Sequence, residues 1–153
     1  MFKNSTGLEL SFFSGVYSPS IGFTSALGSD AKQYVGLSGI CIGIGEVSGG
    51  ILFGLLGSKM KKVGRDLIVI FGFILHIVSF ILIFLNLPNS APFGDTTDTA
   101  YFNPPIASVA LMCSFLLGFG DACYNTQIYA MLGGYFARNS TAAFALFKFT
   151  QVI

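Results

Sequence analysis

The chain has 153 residues, 53% hydrophobic and 10% charged, with a formal net charge of +1 and a mean hydropathy of +0.74. A soluble domain of this size covers its surface with far more charge, so the solvent for most of this chain is lipid. Its cations gather in one loop rather than along a stripe, which leaves nucleic-acid binding without support.

The first expected span is 8–27. Lys3 ahead of an apolar run looks like the start of a signal peptide, but Glu9 and the lack of a small-residue cleavage site argue against one. Gly15, Pro19 and Gly22 interrupt this span, which predicts a kinked or broken helix. Residues 28–33 read as a polar turn. The second span, 34–57, carries Glu46 as its only charge. Residues 59–66 hold four of the eight Lys and Arg residues, and they organise the rest of the reading. The third span, 67–87, has 21 residues, roughly 31 Å of helix and enough to cross a hydrocarbon core of about 30 Å. Residues 88–105 form the longest polar loop, with Asp95 and Asp98 and no Lys or Arg. The fourth span is 106–136, followed by a turn at 137–141 that contains Arg138. Residues 142–153 begin a fifth span but are too few to cross. The expectation is an all-α, polytopic transmembrane bundle of about five helices in one partial membrane domain, a fragment of a larger protein.

Cations between two spans mark a cytoplasmic loop. The 59–66 loop, the N-terminus with Lys3 and the Arg138 turn are then cytoplasmic, and the 28–33 and 88–105 segments lie on the far side. Two glycosylation sequons, Asn4-Ser5-Thr6 and Asn139-Ser140-Thr141, fall on the cytoplasmic side in this topology. Neither is expected to carry a glycan.

Four ionisable residues fall deep inside spans: Glu46, His76, Asp121 and Lys148. Each charge costs at least about 2.5 kcal/mol to insert, so each should face protein or water and find a partner. One reading is a proton- or ion-coupled site at the bilayer midplane, with His76 as the group that titrates near neutral pH. The other is a buried network that fixes helix packing. Asn125 joins this candidate cluster because it lies four residues from Asp121 on the same helical face, with Gly118 one turn earlier. The polar text Gly120-Asp121-Ala122-Cys123-Tyr124-Asn125-Thr126-Gln127 either lines a cavity or joins helices.

Glycine pairs Gly39/Gly43, Gly45/Gly49 and Gly50/Gly54 on span two are small-xxx-small patterns for close helix packing within the bundle, with a homodimer face as the other reading. Glu46, three residues from both Gly43 and Gly49, is expected on the close-packed side. Cys41, Cys113 and Cys123 all lie in apolar segments and read as free thiols rather than disulfides or metal ligands. His76 is the one histidine, and neither GxSxG nor a P-loop is present, so no enzyme, cofactor or metal site is expected.

The stretch Gly54-Leu55-Leu56-Gly57-Ser58-Lys59-Met60-Lys61-Lys62-Val63-Gly64-Arg65 resembles a degraded form of the cytoplasmic loop motif of the major facilitator superfamily. Lys62, Gly64 and Arg65 match it. Lys61 stands where that motif has Asp, and Asp66 where a final cation is usual, so the Asp of the motif's standard gating ion pair is missing. Gly7-Leu8-Glu9-Leu10-Ser11-Phe12-Phe13-Ser14-Gly15, the 120–127 stretch and Ala143-Phe144-Ala145-Leu146-Phe147-Lys148-Phe149-Thr150-Gln151 resemble the Unc-ninety-three-like family across essentially the whole chain. That resemblance implies that these spans are the seventh to eleventh of twelve, and that the bundle is part of a major facilitator C-terminal half. It also implies one of two roles: a non-enzymatic regulator or escort of a partner membrane protein, of the ion-channel regulatory type, or an orphan secondary transporter of a small solute or proton. The location expected is a plasma or endolysosomal membrane.

Overall fold

The structure is a computed structural model and describes residues 11–55 and 64–152, with side chains described to residue 149. It is all-α. A helical entry at 11–12 runs into a π-helical turn at Phe13–Tyr17 and then α1 (Ser18–Phe23), followed by a 3-10 turn at Ser25–Leu27. The longer helices are α2 (Ala31–Leu55), α3 (Arg65–Asn86) and α4 (Ala107–Tyr135), with the shorter α5 (Ser140–Val152) last. The three long helices are each apolar and long enough to cross a membrane.

Pro19 sits in the first turn of α1, directly after the π-helical turn, the wider local geometry often found where a proline interrupts the hydrogen-bond ladder of a helix. Ser20 and Thr24 then donate to the carbonyls of Val16 and Ser20, at 2.6 and 2.8 Å. Gly64 precedes α3 with φ +97°, a backbone conformation that L side chains rarely adopt. Asp66 lies in the first turn of α3, where the helix dipole favours an anion.

Two boundaries differ from those expected. The turn read at 28–33 ends early, because α2 already begins at Ala31: the Asp30 carbonyl accepts from the backbone of Gln33 (2.8 Å) and Tyr34 (3.2 Å), and its carboxylate accepts from Gln33 Nε2. Polarity mimicked a loop where buried Ala31 and exposed Lys32 and Gln33 form the first turn of the helix. Likewise α5 begins at Ser140 rather than at 142, with the Asn139 carbonyl accepting from Ala143 N.

Helix α4 is the centre of the bundle. Half of its spanning window is buried, against 17% for α2 and 22% for α3. The outer face of α2 is apolar and exposed at Ile40, Ile44, Val47 and Ile51, as is that of α3 at Ile70, Phe73, Ile74 and Ile81. Such faces are untenable in water and ordinary against lipid tails.

Glycine decides where α2 meets α4. Gly118 lies against the backbone of Ile42, and Gly45 against the Phe115 carbonyl, so a side chain at either would strike main chain. A Cβ at Gly49 would come 2.6 Å from Ala122 Cβ. Gly39, Gly43, Gly50 and Gly54, in contrast, meet nothing within 4 Å among the described residues. The close contact therefore uses one of the three expected pairs, Gly45/Gly49, and Glu46 lies at its edge, half-buried. Each pair has the same spacing, so sequence alone could not tell them apart.

Phe13, Tyr17, Ile21, Leu87, Ala110, Cys113 and Leu117 form the main core, where the first helical segment seats on α4. The loop after α3 is tied down at both ends. Asn86 is buried and makes two bonds to the backbone of Ile106, accepting its N–H at 2.8 Å and donating to its carbonyl at 3.0 Å. Thr96 N–H donates to Phe23 O and Thr96 O accepts from Ser25 N, making a single strand-like bridge at Thr24 and Thr96.

Candidate intramembrane polar site

Asp121 and Asn125 are one turn apart on α4, and Asn125 Nδ2 donates to Asp121 Oδ2 at 2.6 Å. Asp121 is 2% exposed. Its face of the helix continues from Leu117, four residues earlier, which packs in the core with Phe13 and Tyr17. Asp121 thus lies on α4 between Leu117, which meets the first helical segment, and Gly118, which meets α2. Asn125 Oδ1 is buried and accepts no hydrogen bond from the described residues. Together the two side chains present a carboxylate and an amide carbonyl, both hydrogen-bond acceptors, in the buried interior of the bundle.

His76 occupies a different seam, between α3 and α4. It is 4% exposed, its ring stacks on Tyr124 at 5.4 Å and 26°, and it is tilted against Phe80 at 6.1 Å. Its Nδ1 lies 2.8 Å from the Gly72 carbonyl, which can only accept, so Nδ1 carries the proton and Nε2 is the basic nitrogen. The ring fits because residue 120 is glycine: a Cβ there would stand 2.5 Å from His76 Cε1 and 2.7 Å from Nδ1.

Glu46 and Lys148 come from α2 and α5, and the Lys148 ammonium is within coulombic range of the Glu46 carboxylate. Lys148 also lies over the Tyr129 ring, 5.5 Å from its centroid, and Tyr129 is boxed edge-on by Phe144 and Phe147. Among the candidate residues, Asp121 meets Asn125 on α4, His76 stands in the α3–α4 seam, and Lys148 of α5 is within coulombic range of Glu46 on α2. Of the loop motif, Gly64 and Arg65 open α3, while Gly57, Lys61 and Lys62 lie outside the described residues.

Sequence reasoning missed a buried chain of hydroxyls. Ser38 Oγ lies 2.9 Å from Ser114 Oγ and 3.2 Å from Ser18 Oγ, joining α1, α2 and α4. Ser114 and Tyr17 both donate to the Ala110 carbonyl, at 3.1 and 2.6 Å. Serines are common in membrane helices and usually bond their own backbone, as Ser79 does to Leu75 O. The one hint was position: Ser38 is seven residues before Gly45, on the same face of α2.

The profile of the family described as "Ion channel regulatory protein UNC-93" matches residues 1–153. The chain is 51% identical over 150 residues to a Xenopus laevis protein named UNC93-like protein MFSD11, covering 97% of this chain and 34% of that one. It is 50% identical to the Xenopus tropicalis protein of the same name, with the same coverage. Protein unc-93 homolog A from Bos taurus is 29% identical over 148 residues, covering 97% of this chain and 28% of that protein. The chain therefore spans about a third of the length of the curated relatives it matches. No solved structure matches it.

Proposed function

The chain belongs to the UNC-93 family, and from that membership we propose that it is part of a non-enzymatic, multi-pass membrane protein that regulates or escorts a partner membrane protein. The observation that carries this reading is the family match over every residue, in a family described as regulating ion channels. The degraded loop motif supports it too: Lys61 and Asp66 replace the charges that a major facilitator carrier uses for gating. Residues 8–27, 34–57, 67–87, 106–136 and 142–153 are the segments assigned to the bilayer, with the 59–66 loop in the cytoplasm of a plasma or endolysosomal membrane.

A second reading is favoured by one observation, the buried pairing of Asp121 with Asn125. In this reading the protein is a secondary transporter, proton-coupled, of a small solute. Asp121 and Asn125 hold the proton or solute, and Glu46, His76 and Lys148 supply the remaining intramembrane charges.

One pair of measurements separates the two. The full-length protein is purified from its native membrane and its bound membrane proteins are identified, and in parallel it is reconstituted into vesicles for uptake driven by a pH gradient. A stoichiometric membrane partner, with no gradient-driven uptake, supports the regulator. Uptake that Asp121→Asn abolishes supports the carrier and removes the first reading.

A further inference from the structure

A cleft of two adjoining compartments lies between the first helical segment, α3 and the loop that follows α3. Helix α3 ends at Asn86, which is tied to Ile106 at the head of α4, so this level is one boundary of the bundle's apolar span. The lower compartment runs between the two helices and holds about 220 Å³. Phe12 closes its deep end, meeting Phe80 edge-on at 5.3 Å and stacking on Tyr17 at 6.2 Å. Val16, Phe80 and Phe84 line its flank and are exposed. The upper compartment holds about 300 Å³, lies against the loop residues Thr99 and Tyr101, and is the more polar of the two. Pro88 and Asn89 line both and form the rim between them.

We propose that this cleft binds a membrane sterol, with its ring system against the aromatic side chains and its hydroxyl at Ser20 and Asn89. Polarity is the first reason. The cleft is apolar at depth and polar at the boundary, as a sterol is along its own length. Ser20 is 4% exposed, and its hydroxyl donates to the Val16 carbonyl, so what it offers the cleft is an acceptor. Asn89 offers a donor and an acceptor. One alcohol, itself both donor and acceptor, suits the two together. Charge is the second reason. Among the described residues neither compartment is lined by Lys, Arg or His, and the loop at 88–105 carries Asp95 and Asp98 with no Lys or Arg. An anionic lipid headgroup therefore meets repulsion here rather than a basic partner. Rigidity is the third. Phe12, Phe80 and Phe84 present flat rings, and Pro88 and Pro92 stiffen the mouth. A fused-ring lipid fills such a slot without the ordering cost that a flexible acyl chain meets. The loop is fastened to the first helical segment through Thr96, which holds the upper compartment in place. This site stands apart from the choice between regulator and carrier. It makes either activity sensitive to the sterol content of the membrane.

A cholesterol analogue with a diazirine on its ring system tests the site. The full-length protein, held in nanodiscs of neutral phospholipid, is photolysed with this probe, and the labelled peptides are identified by mass spectrometry. Label is expected on the segments 12–20 and 80–92, and excess cholesterol should remove it. Val16→Trp fills the cleft from an exposed position and should lower that label on the order of tenfold. Ile74→Trp, exposed on α3 outside the cleft, should leave it unchanged. Ser20→Ala should raise the cholesterol concentration needed for half-competition about fivefold, the worth of one hydrogen bond. Epicholesterol, whose hydroxyl leaves the opposite face of the ring, should compete less well than cholesterol. Label absent from both segments, label that cholesterol does not displace, or equal label in wild type and folded Val16→Trp overturns the site. Displacement by an anionic phospholipid in place of cholesterol does so too. If Val16→Trp does not fold, the two epimers decide on the unaltered protein, and equal competition by both overturns the proposal.

Discussion

Asn125 donates to Asp121 from one turn further along α4, so part of a deeply buried carboxylate is held by the helix that carries it. The pair is preorganised whatever the neighbouring helices do. Asp121→Asn should fold close to wild type, because the new amide oxygen still accepts from Asn125. Asn125→Ala should destabilise by about 1.5–3 kcal/mol, the usual worth of a hydrogen bond to a charged group. Thermal unfolding in detergent, followed by size-exclusion chromatography, reads both; equal losses in the two variants would show that the carboxylate's charge matters more than this bond.

Glycines of the same spacing should behave in opposite ways. Gly118→Ala and Gly45→Ala drive a Cβ into main chain, which cannot yield as a side chain can. A loss of about 1–3 kcal/mol is expected for such overpacking. Gly43→Ala and Gly50→Ala enter open space and should be neutral or gain up to about 1 kcal/mol from helix propensity. Measured in the full-length protein, a severe loss at Gly43 or Gly50 would place another helix on that face.

The serine chain predicts a non-additive pair. Ser38→Ala removes contacts to both Ser18 and Ser114, while Ser114→Ala removes one of these and the bond to Ala110. Each should cost about 0.6–1.7 kcal/mol, the range for hydrogen bonds between membrane helices. The double variant should lose less than the sum, since both singles break the same bond. Strict additivity in unfolding measurements would mean that the two hydroxyls act separately.

Glu46 and Lys148 test the link between α2 and α5. Glu46→Gln and Lys148→Met each remove one charge, and the double variant removes both. A coupling energy of about 0.5–3 kcal/mol is expected if the charges interact across the bundle. Tyr129→Leu, which takes away the ring beneath the ammonium, should weaken Lys148 independently of Glu46. Zero coupling in the cycle would assign Lys148 to its aromatic box alone.

The helices were largely legible before the structure because hydrocarbon runs and turn residues are local signals. An irregularity in the first span was legible for the same reason, and it takes the form of the π turn at Phe13–Tyr17 just before Pro19. The candidate residues were legible as a set, since a charge inside an apolar run is conspicuous wherever it points. The contacts of Asp121 with Asn125, His76 with Tyr124, and Glu46 with Lys148 were not. Depth along a span says how far a residue lies from the membrane surface, but not which way its side chain faces in a bundle of several helices.

Composition and charge pattern alone determined that this chain is a helical membrane protein with Glu46, His76, Asp121 and Lys148 inside its apolar segments. Backbone hydrogen bonding in a medium without water leaves few other choices. Tertiary structure alone decided that α4 is the central helix, that Gly45 and Gly49 make the close contact while Gly43 and Gly50 do not, and that Ser18, Ser38 and Ser114 meet. Those outcomes depend on the rotation of each helix about its axis. That rotation is set by the shapes of facing surfaces, which come together from segments as far apart in the chain as Ser38 and Ser114.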